Sequence, residues 1–212
     1  MKTSPEPLRI AVLVSGSGTN LQALIDAIEA GHLNARIELV VASNPDAYGI
    51  ERAKKAGLET LVFQREDYAE PEKVDQRMID AFKEHDIAYV IMAGYMRKVT
   101  PLLLNAYPSR IVNLHPALLP KHPGAHGIQE AFEAGDKVTG ITFHFANEEY
   151  DQGPIIVQKE VPVLPNDTLD TLEARIHDAE HAYYPKVVQL LADGRVHVGE
   201  DGAVTIDQGD IE

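Results

Sequence analysis

Leu8-Arg9-Ile10-Ala11-Val12-Leu13-Val14 runs without a break into Ser15-Gly16-Ser17-Gly18-Thr19-Asn20, after which Leu21, Leu24, Ile25 and Ile28 recur at helical spacing. The first run is short, apolar and rich in β-branched residues, as a buried strand is; the repeat behind it marks the inner face of a helix that Gly31 closes. The alternation continues. Residues 36–44 read as a strand closed by Asn44-Pro45-Asp46, and residues 48–56 as a helix ending at Gly57. Residues 59–63 and 87–92 read as further strands. Between them residues 71–85 form a helix with Val74, Met78, Ile79 and Phe82 inward and Pro71 in its first turn. Strands alternating with helices at this spacing predict a parallel sheet covered on both faces, with ligands at the carboxyl ends of the strands.

The glycine turn after the first strand is not a dinucleotide fingerprint. Gly16 and Gly18 are in place, but Leu21 occupies the third glycine position, and no acidic residue follows Val41 at the tip of the second strand. No Gly-Lys-Ser/Thr follows, so the turn is not a P-loop. Two readings remain: one phosphate held by the backbone of Gly18, Thr19 and Asn20, or a tight strand–helix turn that binds nothing. Charge bears on the ligand. With 33 Asp and Glu against 19 Lys and Arg, the net charge of −14 repels nucleic acid, and an anionic small molecule must be held by local donors.

The second half reads differently. A short helix over 101–106 precedes Ile111-Val112-Asn113-Leu114-His115-Pro116, and a loop then leads to a helix over 128–134. Residues 138–146 and 155–163 read as strands, and the short acidic turn between them favours an antiparallel pair. The last long helix starts near Asp167-Thr168 with Leu169, Leu172 and Ile176 inward; Pro185 is expected to interrupt it before residues 187–191 resume. A hairpin over 195–198 and 203–206 follows. The expected fold is therefore α/β and Rossmann-like: a mixed sheet, parallel with helices on both faces in its amino-terminal part and antiparallel in its carboxyl-terminal strands. A leader over 1–7, lacking the apolar stretch of a signal peptide, precedes a single domain over 8–212. Without cysteine, disulfides, thiol chemistry and cysteine-ligated zinc are excluded. No apolar run reaches membrane-spanning length, so a cytoplasmic location is expected.

Residues two apart in a strand share a face, so Asn113 and His115 are presented together while Val112 and Leu114 turn the other way. An amide donor beside an imidazole suits a developing oxyanion and a departing amine. The plainer reading makes Asn113 a turn former and His115 a core histidine. His115, His122 and His126 lie close in sequence but meet no standard zinc spacing, and no metal is expected. Asp151, in Tyr150-Asp151-Gln152-Gly153-Pro154, could equally be a solvated turn aspartate.

Five motifs in order resemble the folate-dependent formyltransferase family, specifically the phosphoribosylglycinamide formyltransferases of purine biosynthesis. They are Ser15-Gly16-Ser17-Gly18-Thr19-Asn20-Leu21-Gln22, Ala93-Gly94-Tyr95-Met96-Arg97, Asn113-Leu114-His115-Pro116-Ala117-Leu118-Leu119-Pro120, Tyr150-Asp151-Gln152-Gly153-Pro154 and Glu180-His181. The resemblance spans residues 8–194. It implies transfer of a formyl group from 10-formyltetrahydrofolate to the amine of glycinamide ribonucleotide, by a monomer or homodimer acting on small molecules alone. By the same resemblance Asn113, His115 and Asp151 are catalytic, with Asp151 keeping His115 charged. Gly18, Thr19 and Asn20 hold the substrate phosphate, and Glu180 its ribose hydroxyls. The folate lies along Met96, Arg97, Lys98 and Val99 and along Asn147, Glu148, Glu149 and Tyr150. His122 stands where the family usually has tyrosine, and Ile128 where it often has a polar residue. A methionyl-tRNA formyltransferase would need a further, basic tRNA-binding domain. A formyltetrahydrofolate deformylase would carry a further amino-terminal domain and need no phosphate cradle. A phosphate-ligand sensor would not need Asn113, His115 and Asp151.

Overall fold

Strand β1 (Leu8–Val14) is buried on both faces: Ile10, Val12 and Val14 enter one apolar layer, Ala11 and Leu13 the other. This two-sided burial is the signature of a central parallel strand. The computed structural model that shows it describes residues 6–207, so the first five residues of the expected leader and the last five of the chain lie outside the described residues. β1 pairs in parallel with β2 (Ala35–Ala42) on one side and β4 (Tyr89–Met92) on the other. β3 (Thr60–Val62) continues the sheet beyond β2, and β5 (Ile111–His115) beyond β4, both in parallel. β6 (Val138–Phe145) and β7 (Ile155–Pro162) then add antiparallel strands, giving the order β3-β2-β1-β4-β5-β6-β7. The mixed sheet expected from the sequence is the one observed.

Helices cover both faces. α1 (Thr19–Glu29), α2 (Gly49–Lys55) and the long α6 (Leu169–Ala192) pack on one layer. α3 (Pro71–Glu84) and α4 (Pro101–Ala106) pack on the other, with Val74, Met78, Ile79 and Phe82 all buried as their spacing predicts. α5 (Gly127–Glu133) lies between β5 and β6 in the chain. A small hairpin of β8 (Val196–Val198) and β9 (Val204–Ile206) ends the described chain. A 3-10 turn over Arg65–Ala69, closed by reciprocal hydrogen bonds between Gln64 and Asp67, has no counterpart in the sequence reading.

Pro185 corrects that reading. It lies inside α6, which continues unbroken to Ala192. A proline within a helix costs about 3 kcal/mol. Against that, Tyr184, Val187, Val188 and Leu191 all enter the core, and burial of one such side chain is worth roughly 1.5–3 kcal/mol. Tyr184 is fully buried and donates its hydroxyl to the Met92 carbonyl at 2.7 Å, which ties α6 to the end of β4. Among the described residues no helix is long and apolar enough to cross a membrane.

From β1 the chain moves outward through β2 and β3, then returns to β4 on the far side of β1. The loops after β1 and β4 therefore diverge and leave a crevice at the carboxyl ends of the strands.

Candidate active site

The crevice begins at Ser15. Its N–H donates to the Gly94 carbonyl at 3.1 Å, and its hydroxyl accepts from the Ser43 hydroxyl at 2.6 Å and the Met96 N–H at 2.8 Å. One serine thus joins the ends of β1, β2 and β4. Gly18 opens α1 at φ +69°, and a Cβ there would come within 2.6 Å of the Gly49 backbone. Only glycine meets both demands. α1 starts without a side-chain cap, which leaves its first N–H groups for an anion. Arg52 donates to the Ser17 carbonyl at 2.8 Å and steadies the turn from outside.

Gly18, Thr19 and Asn20 share a cleft of about 310 Å³ with Asn113, His115, Asp151 and Glu180. Chain positions as far apart as 18 and 180 therefore meet. Buried Asn20 donates through Nδ2 to Glu180 Oε2 at 3.0 Å, and the same oxygen lies 3.1 Å from His177 Nδ1. His177 was not anticipated. Its place three residues before Glu180 on one helix, hence on the same face, was the signal in the sequence. Hydrogen bonding to Glu180 raises the His177 imidazole above its ordinary pKa despite some burial.

β5 delivers Asn113 and His115 to the cleft, and β6 lies antiparallel with His144 opposite Asn113 and Thr142 opposite His115. His144 is the second residue the sequence reading missed. Polar Thr142 and His144 alternate within an otherwise apolar strand, and this pattern pointed to a shared polar face. Asn113 Nδ2 lies 3.2 Å from His144 Nε2 and 3.5 Å from Asp151 Oδ1. Asp151 Oδ2 lies 3.3 Å from His115 Nδ1 and accepts the Gly124 N–H at 2.8 Å. All of His115, His144 and Asp151 are buried, so Asp151 is not a solvated turn residue.

Burial sets the protonation states. It pushes the Asp151 carboxyl up, but hydrogen bonding from His144 and Gly124 and the charge of His115 together hold it below its ordinary value. Burial also pushes the His115 imidazole down, and here the opposing pull of Asp151 does not prevail. The expectation that Asp151 keeps His115 charged therefore meets an opposing effect in the free site: Asp151 favours the imidazolium, and desolvation works against it.

The residues expected along the folate divide. Arg97, Lys98, Val99, Asn147, Glu149 and Tyr150 line a small recess that shares Asn113, Tyr150 and Asp151 with the cleft wall. Met96, largely exposed, lines the main cleft instead. Glu148 lines neither. The Arg97 guanidinium stacks 4.5 Å over the Tyr68 ring, whose hydroxyl lies 2.8 Å from that of Tyr95. Among the described residues no three His, Asp or Glu side chains converge as a metal site, and the His122 imidazole turns from His115 toward Asp136.

A profile of the formyl transferase family matches residues 8–188. The chain belongs to this family. Among curated formyltransferases it is 39% identical over 193 residues to phosphoribosylglycinamide formyltransferase of Haemophilus influenzae, covering 91% of each chain. It is 39% identical over 196 residues to the Escherichia coli protein of the same name, covering 92% of each. Among solved structures, glycinamide ribonucleotide transformylase 1 of Symbiobacterium toebii superposes with a TM-score of 0.91 at 40% identity, with 97% of each chain covered. In this formyltransferase the acidic surface and the cleft are reconciled locally. Among the described residues lining the main cleft there is no Lys or Arg, so an anion there depends on backbone N–H groups, hydroxyl and amide donors, and imidazoles.

Proposed function

We infer that this formyltransferase carries a formyl group from 10-formyltetrahydrofolate to the amine of glycinamide ribonucleotide; its relatives' names supply the acceptor, and the folate donor is inferred from the family. The observation that carries the reading is the joining of an uncapped, glycine-opened helix start with Asn113, His115 and Asp151 in one cleft. The phosphate rests on the N–H groups of Gly18, Thr19 and Asn20, and Glu180 accepts from the ribose hydroxyls. The folate enters from the recess beside Arg97, Lys98, Val99 and Tyr150, so that its formyl carbon reaches Asn113. Met96 and Asn147 flank it, and Glu148 and Glu149 lie on the outer turn.

The amine attacks the formyl carbon to give a tetrahedral adduct with an ammonium and an oxyanion. Asn113 exchanges its longer contact, the 3.5 Å one to Asp151, for the oxyanion. A preorganised donor of this kind is worth about 3–4 kcal/mol of barrier. Neutral His115 accepts the ammonium proton and becomes an imidazolium beside Asp151. It then passes that proton to N10, the C–N10 bond breaks, and formyl amide and tetrahydrofolate leave with no net change in protons.

The direct test follows tetrahydrofolate release by the purified protein with and without the amine acceptor. Release only with acceptor supports transfer; release without it indicates hydrolysis by water, the deformylase reaction. A further expectation concerns His177. Its imidazolium faces the phosphate side, so affinity for the nucleotide falls as pH rises through its raised pKa. His177→Leu should weaken the KM for glycinamide ribonucleotide about tenfold at neutral pH and abolish that alkaline loss. An unchanged KM profile in the variant would remove the role.

A further inference from the structure

His115 Nε2 lies 2.7 Å from the carbonyl oxygen of His122. A carbonyl only accepts, so this contact asks Nε2 for the hydrogen, while the Asp151 carboxylate facing Nδ1 asks that nitrogen for one. A neutral ring satisfies only one of them, and with Nε2–H given to the carbonyl Nδ1 is the nitrogen that exchanges a proton. This arrangement comes at a local cost. His122 sits at φ +51°, a left-handed conformation unfavourable to a residue with a side chain. Something must hold it there. Its imidazole Nε2 lies 2.9 Å from Asp136 Oδ2, just past α5, with Lys121 Nζ 3.6 Å from the same oxygen and Glu130 Oε2 3.8 Å from His122 Nδ1. The hydrogen bond from His122 holds the Asp136 carboxyl below its ordinary pKa, with Lys121 assisting. Gly127 completes the arrangement. A Cβ there would lie 3.0 Å from the His122 oxygen and 3.1 Å from His115 Nε2, crowding the one hydrogen bond in question.

We propose that His122 and Asp136 are positioning residues: their contact pins the left-handed turn so that the His122 carbonyl fixes the tautomer and ring orientation of His115. Neither residue lines the main cleft, so both act through His115 and not on substrate. The inference rests on reading His115 as the proton carrier. It departs from the family resemblance in one respect, since the residue holding the turn here is an imidazole where tyrosine is usual.

The test labels histidine nitrogens with ¹⁵N and reads the His115 tautomer by NMR in the full-length chain, assigned by the signals absent from His115→Ala. In the native protein the Nε2–H tautomer should dominate the neutral form. In His122→Phe the tautomers should mix and kcat fall ten- to a hundredfold, the scale on which a small misplacement of a reacting group is felt (about 10²-fold), with KM for the amine acceptor unchanged. His122→Gln, whose amide N–H can still reach Asp136, should restore both. Asp136→Asn keeps the shape of the site and should move both readouts in the same direction by less, which guards against a folding defect in His122→Phe. Native tautomer and native kcat in His122→Phe and Asp136→Asn would overturn the proposal. If His115→Ala still turns over, the assignment of His115 fails; if His115→Ala is inactive while those two variants are native, only the present inference fails.

Discussion

His115→Ala is expected to fold normally and to lose formyl transfer by about 10³-fold, within the range a positioned acid–base group supplies. The side chain is buried, and its partners are the His122 carbonyl and Asp151. Removing it leaves a small polar gap and not an apolar cavity, so a thermal melt should move little while single-turnover release of tetrahydrofolate collapses. Turnover within tenfold of native would reject His115 as the proton carrier. The pH profile gives an independent handle. Neutral His115 is the form that accepts the ammonium proton, so activity is lost as pH falls through its pKa, which burial sets below that of an ordinary imidazole. In Asp151→Asn the charge that favours the imidazolium is gone. The acid limb should then move to still lower pH while the maximal rate drops; a limb that stays put or moves upward would contradict the electrostatic role given to Asp151.

Gly153→Ala should be the most damaging single methyl addition near the site. A Cβ at Gly153 would fall 1.7 Å from the Phe145 carbonyl oxygen and 3.3 Å from His144 Nδ1. Both contacts belong to β6 or its end, so neither can give without moving a strand that is paired on both sides. The same turn is tied by the Phe145 N–H to the Pro154 carbonyl at 2.9 Å, and it carries Asp151 at φ +53°. Overpacking of this severity costs about 3 kcal/mol. For a chain of this size that lowers Tm by roughly 6–12 °C. The displaced turn should withdraw Asp151 from His115, so activity is expected to fall further than stability explains. A native melting curve would show that the turn has slack the geometry denies.

Much of this could be read from the chain before folding. Period-two and period-3.6 repeats placed the strands and helices, because burial on one or two faces leaves a direct imprint on residue order. Asn113 and His115 were legible for the same reason, being two apart on one strand. Pro185 misled, since a local rule about backbone hydrogen bonding cannot anticipate how many core side chains a helix gains by continuing. His144 and His177 escaped because each is defined by a neighbour on another element or another turn: a cross-strand register for one, a helix face for the other. The net protonation of His115 was also out of reach. It depends on how deeply the ring is buried, a tertiary quantity with no trace in spacing.

The groups assigned to the one-carbon transfer sit on one antiparallel unit, with Asn113 and His115 on β5 and Asp151 in the turn after β6, beside their neighbour His144 on β6. Those assigned to the nucleotide come from the opposite ends of the chain, at the start of α1 and along α6. Inheritance can therefore act on the two separately: drift in α1 and α6 retunes which amine is served, while the formyl-handling hardware is passed on intact.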